Sequence, residues 1–277
     1  MLLKSLLKNL TPTSGRTDAA ALYIDLLKKC VSNAIYDDDL DLMRGKLAPD
    51  ERSGALRSVE AAPASANAKY HGFIWPSRAH TMIGMPRLDN LQECTERVLA
   101  DGVPGDFIET GVWRGGASIF MRGILKAHGV RDRVVWVADS FRGLPAADHE
   151  RYPGESTANL HMAGDLAVSL EQVRGNFERY DLLDDQVRFL EGWFRDTLPT
   201  APLERLAVMR LDGDLYESTM DGLVHLYSKL SSGGFVIVDD YNALDCCNAA
   251  VHDFRSREGV TGKLELISGA GAYWRKA

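Results

Sequence analysis

The stretch GGFVIVDDYNA, residues 233 to 243, sets two carboxylates, Asp239 and Asp240, side by side at the end of a short apolar run. A run of that length reads as a buried strand, and one small polar residue normally suffices to turn the chain after it. A third acid, Asp212, ends another apolar run in RLDGDLYESTMDGL. If the two strands are neighbours, three carboxylates meet at one rim and repel one another unless a cation sits among them. All-oxygen ligation selects a hard metal, Mg2+, with waters or substrate hydroxyls completing its shell. Such an ion lowers the pKa of a coordinated hydroxyl, and a spare carboxylate can remove the proton. The plainer reading makes all three acids turn formers or caps. Asp214 is itself a candidate N-cap in the pattern Asp214-Leu-Tyr-Glu217.

Other run ends carry groups suited to a nucleotide-like cofactor. Glu109-Thr110-Gly111 closes DFIET and continues into VWRGGAS. Gly111, Gly115 and Gly116 let backbone approach a ligand, and the helix that follows offers free N–H groups. The spacing departs from G-x-G-x-x-G, and a simple tight turn explains it equally well. Asp139-Ser140-Phe141 ends a second run, where one carboxylate can accept from both hydroxyls of a ribose or cap a helix. EGWFRDTLP ends a third. There Gly192, Trp193 and Asp196 border an adenine-sized slot, or Trp193 is a core or subunit-contact aromatic.

Positioning these groups requires a sheet. From residue 105 the chain alternates short apolar runs (106 to 110, 133 to 141, 186 to 192, 206 to 214 and 235 to 241) with helical segments such as ASIFMRGILKAHG. This alternation predicts an α/β, doubly wound, Rossmann-like sheet, mostly parallel, with ligands beyond the carboxyl ends of its strands. KLELISG and AYWRK are spaced to add a C-terminal antiparallel hairpin. Residues 1 to 100 read as an N-terminal helical and lid region, and 101 to 277 as the sheet domain. Within the former, APDERSGALRSVEAAPASANAKY is poor in large apolar residues and reads as mobile. The loop from 142 to 165, with His149, Tyr152 and His161, is long enough to cover a substrate.

Bulk composition excludes several classes. Hydrophobic residues make up 45% and charged residues 26%, an ordinary globular balance. A net charge of −7 provides no broad basic surface for nucleic acid. No segment approaches the roughly 20 apolar residues of a membrane span, and MLLKSLLKNL is an amphipathic helix pattern rather than a secretion signal. Cys30, Cys94, Cys246 and Cys247 show no zinc spacing and suit a reducing cytoplasm. Exposed N-terminal helices suggest a homo-oligomer.

Together WPSRAHTMIGMPRLDNLQ, DFIETGVWRGGASIFMRGIL, VADSFRGLP, EGWFRDTLP, RLDGDLYESTMDGL and GGFVIVDDYNA resemble the TylF-type macrocin O-methyltransferases from about residue 72 onward. These are S-adenosylmethionine-dependent enzymes that methylate sugar hydroxyls of antibiotics and related secondary metabolites. The resemblance implies that Glu109, Thr110, Gly111 and Ser118 lie at the methionine end and glycine loop. It puts Asp139 on the ribose, with Ser140 and Phe141 beside the adenosine. Thr81, Met82 and Ile83 match a segment that folds over the cofactor. Asp212, Asp239 and Asp240 match magnesium ligands, with Asp212 also the base, and the acceptor is a glycosylated small molecule. Two features depart from the pattern: Ile74 stands where an acid is expected, and residues 45 to 71 have no counterpart. Rival readings are a catechol-like or other vicinal-diol acceptor, a nicotinamide-dependent oxidoreductase, against which the glycine spacing speaks, and a non-catalytic scaffold, in which the acidic trio lacks a purpose.

Overall fold

The computed structural model describes residues 18–36, 66–155, 159–267 and 270–277. The expected helix in residues 1–10 and most of the stretch from 45 to 71 lie outside them. The apolar runs form β1 (Asp106–Thr110), β2 (Val135–Asp139), β3 (Val187–Glu191), β4 (Leu206–Leu211) and β5 (Leu230–Val238). These five are parallel, and β6 (Glu265–Leu266) and β7 (Ala272–Arg275) complete a sheet of order β3-β2-β1-β4-β5-β7-β6. β7 is antiparallel to both of its neighbours, as the hairpin reading expects. Four strands, β2 to β5, end earlier than the sequence suggests, and two of these ends matter for the site. β4 stops at Leu211 and β5 at Val238, so Asp212 and Asp239 stand one residue beyond paired strands.

The central strands are apolar on both sides because helices cover both faces. Successive side chains alternate between them. Phe107 joins one buried cluster and Ile108 the other; Val137 and Ala138 divide the same way. The first face receives α1 (Ala19–Val31), α3 (Gly84–Ala100), α4 (Gly116–Ala127) and α5 (Leu170–Arg179). The second receives α7 (Tyr216–Leu226) and α8 (Asp245–Arg257). Short helices α2 (Ala66–His71) and α6 (Phe194–Thr197) lie in connections. Because the strand order runs outward in both directions from β1 and β4, a crevice opens at their carboxyl ends.

Helix α1 starts at Asp18, whose side chain accepts from the Ala20 N–H at 3.1 Å, and buries Ile24, Leu27 and Val31. Its seat is a notch in α4: a Cβ at Gly123 would stand 2.1 Å from Leu27 Cδ2. A mid-helix Gly→Ala change normally adds about 0.5–1 kcal/mol of stability. At Gly123 the sign should reverse, with a loss of about 1–3 kcal/mol from overpacking. Gly175→Ala in α5, where nothing lies within 4 Å of the added carbon, should show the ordinary gain. Denaturant melts of both variants check this, and a stabilised Gly123→Ala would contradict it.

Candidate active site

At the crevice, Asp212 follows β4 while Asp239 and Asp240 follow β5, and one ligating oxygen from each lies within 4.8 Å of the others. Backbone bonds hold this rim. The Asp212 N–H donates to Thr110 O at 2.8 Å, the Asp239 N–H to Leu211 O at 2.9 Å, and the Gly111 N–H to Ala138 O at 2.9 Å. Gly111 has φ +82°, and a Cβ there would lie 1.7 Å from the Asp212 carbonyl oxygen. The glycine therefore admits the neighbouring chain rather than a ligand. Gly116 does the same for the His80 carbonyl, at 2.5 Å from its would-be Cβ, and Gly115 for the Val173 side chain, at 2.9 Å. At all three glycines the space a side chain would need is taken by protein, while Gly111 itself still lines the cavity described below.

Two arginines that sequence reasoning missed sit among the acids. Arg210 is 1% exposed and donates to Glu109 Oε1 at 2.6 Å, to Asp212 Oδ2 at 2.7 Å and to Asp239 Oδ1. Arg87, from α3, donates to Asp239 Oδ2. The available signal was Arg210 inside the otherwise apolar LAVMRL, since a charge in a buried strand demands partners. Guanidinium groups therefore hold these acids together.

The balance still leaves surplus acid, for Glu109, Asp212, Asp214, Asp239 and Asp240 face Arg87 and Arg210. Burial, then Asp212 and Asp239, push the Asp214 carboxyl up to about 8. Burial outweighs Arg210 and Ser118 at Glu109, which rises to about 7. Burial and the neighbouring carboxylates drive Asp240 well above the usual range, and its Oδ2 is buried without a hydrogen-bond partner. An orphaned carboxylate oxygen in an over-acidic cluster suits a hard divalent cation.

Asp214 does not cap α7. Its φ is +60°, and the Glu155 carboxylate, from the loop after β2, accepts instead from the N–H groups of Tyr216 at 3.0 Å and Glu217 at 3.1 Å.

The rim opens into a cavity of about 450 Å3. Of the residues singled out in sequence, Thr81, Met82, Ile83, Glu109, Gly111, Asp139, Ser140, Trp193, Asp212, Asp239 and Asp240 line it. Thr110, Ser118, Phe141, Gly192 and Asp196 stand outside the lining. The Thr110 carbonyl accepts from Asp212, and Ser118 Oγ donates to Glu109 Oε2. The N–H of Phe141 donates to Asp139 Oδ1 at 2.8 Å, and that of Gly192 to the Asp139 carbonyl at 2.9 Å. Asp196 is not brought to the cavity; it is exposed and pairs with Arg195 at 4.0 Å.

Asp139 caps no helix. Its Oδ2 accepts from the Val112 N–H at 2.7 Å, and burial raises its pKa against these bonds. From the loop spanning 142 to 165 the cavity meets Gly143, Leu144, Pro145 and Leu160, whereas His149, Tyr152 and His161 do not line it. Ile74 is buried, and its neighbours Phe73 and Trp75 reach the cavity.

A sheet of this order with acids at its carboxyl rim defines a nucleotide-cofactor α/β enzyme class, and comparison with known proteins narrows it. The macrocin-O-methyltransferase (TylF) family profile matches residues 20–276. The solved structure of the O-methyltransferase NovP superposes with TM-score 0.83 at 49% identity, covering 93% of this chain and 99% of that one. A tetracenomycin-C 4'-O-methyltransferase of Streptomyces olivaceus, acting on an 8-demethyl-8-(2,3-dimethoxy-α-L-rhamnosyl) form, is 56% identical over 93% of this chain and 94% of its own. The mycinamicin III 3''-O-methyltransferase of Micromonospora griseorubida is 52% identical over 97% of this chain and 100% of its own. The chain belongs to the macrocin-O-methyltransferase family and is an O-methyltransferase, not a nicotinamide oxidoreductase or a scaffold. Among the described residues no helix is long and apolar enough to cross a membrane.

The raised acids fix a sign for stability. Glu109 and Asp214 hold protons in the folded protein, up to about 7 and about 8, that the unfolded chain releases near its ordinary carboxylate pKa. The native state thus binds more protons across that window, and stability should fall as pH rises through it. Thermal melts in chelator from about pH 5 to about pH 8 should show a falling Tm, with Mg2+ restoring more at the alkaline end. A rising Tm without metal would contradict this.

Proposed function

We propose that this protein transfers a methyl group from S-adenosylmethionine to a sugar hydroxyl of a glycosylated secondary metabolite, with Mg2+ held by Asp212, Asp239 and Asp240. The observation that carries this reading is the Asp240 oxygen, buried and unpartnered among surplus carboxylates at the cavity rim. The cofactor brings a sulfonium methyl with a good leaving group already attached, so the protein's task is to align and activate a poor nucleophile. A divalent cation supplies positive charge that makes a nearby hydroxyl easier to ionise.

The chain's own residues divide the remaining work. Asp139, whose carboxylate lines the cavity and is oriented by the N–H groups of Val112 and Phe141, receives the ribose hydroxyls. Thr81, Met82 and Ile83 cover the cofactor, and Trp193 flanks the adenine. Leu144, Pro145 and Leu160 exclude water from above. Asp212, half-buried at the cavity with one oxygen steadied by Arg210, takes the proton from the acceptor hydroxyl. The relatives support this acceptor class, one of them carrying a rhamnosyl acceptor in its name.

Of residues 1 to 100, the described ones, 18–36 and 66–100, serve as a helical and lid region on the methyltransferase domain from 101 to 277. Four cysteines that form no disulfide accord with a cytoplasmic enzyme, and exposed Leu22, Leu26 and Tyr36 accord with a homo-oligomer.

Assays with a rhamnosylated aromatic polyketide, a glycosylated macrolide and a dihydroxyphenyl compound should show methylation of a glycoside, lost in chelator and restored by Mg2+. Asp240→Asn should weaken Mg2+ binding at least about tenfold, while S-adenosylhomocysteine binding measured in chelator stays within about threefold of wild type. Full turnover in chelator, or preference for the dihydroxyphenyl compound, overturns the reading.

A further inference from the structure

The cofactor-covering segment and the acids are joined by one side chain. Residues 72 to 84 form a loop whose two ends touch. Gly72 and Gly84 have φ of +71° and +72°, and a Cβ at Gly84 would lie 2.4 Å from the Gly72 nitrogen. Between these ends, Phe73, Trp75, Thr81, Met82 and Ile83 line the cavity. Arg87 clips both ends. Its Nε donates to Ile83 O at 2.6 Å and its Nη2 to Gly72 O at 3.0 Å. A Cβ at Gly72 would stand 2.4 Å from that same Nη2, so the glycine makes the seat in which the guanidinium lies.

The third nitrogen, Nη1, donates to Asp239 Oδ2, and both side chains are almost wholly buried, at 6% and 4% exposed. Every nitrogen of this fork is therefore committed: two to the loop over the cofactor, one to an acid at the rim. A planar fork cannot turn one donor without turning the others.

We propose that Arg87 is a positioning residue that couples the 72–84 loop to the cation ligands, so that cofactor and divalent cation bind cooperatively. This rests on the function proposed above. When the cofactor packs against residues 81 to 83, Ile83 O holds the guanidinium, and the guanidinium holds the Asp239 carboxylate in the orientation that a cation needs. Asp239 keeps acceptor capacity, since each oxygen engaged by Arg87 or Arg210 has a second lone pair. Whichever ligand binds first holds the shared side chain in place, and the second binds to a site already arranged. The enhancement must be equal in both directions.

Calorimetry supplies a thermodynamic cycle that requires no turnover. In the wild-type protein, saturating Mg2+ should tighten S-adenosylhomocysteine binding about fivefold or more, and saturating S-adenosylhomocysteine should tighten Mg2+ by the same factor. Arg87→Lys keeps the charge but cannot span three partners, and there the factor should fall to about one. A merely structural role would lower both affinities and leave the ratio unchanged, and that result overturns the proposal. So does a wild-type protein that binds both ligands independently, a measurement that needs no variant to fold. Binding of S-adenosylhomocysteine without any Mg2+ binding would instead overturn the metal reading, and this inference with it.

Discussion

The arrangement depends on one buried cation. Arg210 projects from β4, and its guanidinium touches Glu109 within β1, Asp212 after β4 and Asp239 after β5. Arginine stays protonated in proteins, so a guanidinium with 1% exposure must be surrounded by acids or the strand cannot be buried. Once those acids are drawn in, the carboxyl ends of three strands are held together. The same attraction concentrates more carboxylate than two guanidiniums neutralise, and burial then lifts Glu109 and Asp214 toward neutrality. Structural cohesion and readiness for a cation are thus two results of one charge arrangement.

Around this cluster the chain closes the cavity with segments from distant places. The loop from 72 to 84 is strapped across the glycine turn: Arg114 Nη1 donates to the carbonyls of Pro76, Ser77 and Ala79, and the Gly116 N–H donates to His80 O at 2.9 Å. On the far side, Trp113 Nε1 holds the Asp165 carbonyl at 2.9 Å, and Glu155 caps α7 directly after the Asp212–Asp214 turn. What covers the site is therefore anchored to what carries the acids, and the lining it contributes is largely apolar.

The strands and their order of use were legible because apolar runs of five or six residues punctuated by acids leave few alternatives in a helix-covered sheet. The meeting of Asp212 with Asp239 and Asp240 was legible too, since it needed only that β4 and β5 be neighbours. What the sequence hid was mostly non-local. Arg87 lies 152 residues from Asp239, and Glu155 lies 61 from the helix end it caps, so no spacing rule connects them. The local capping pattern at Asp214 misled for the same reason, as a distant carboxylate took the position first. The glycines of VWRGGAS were recognised as places of close approach, but composition cannot say that protein rather than ligand fills the space. Asp196 shows the converse limit: a polar residue one turn past a strand end can simply face water.

The most direct test of the central claim is calorimetric titration of the metal-free protein with Mg2+ at about neutral pH, in two buffers of different ionisation enthalpy, which counts the protons exchanged. Carboxyls that burial and then mutual repulsion hold protonated should surrender protons to an incoming cation, so the account predicts saturable binding with net proton release. Saturable binding without release, or no binding at all, would contradict a rim whose surplus of acid awaits a divalent ion.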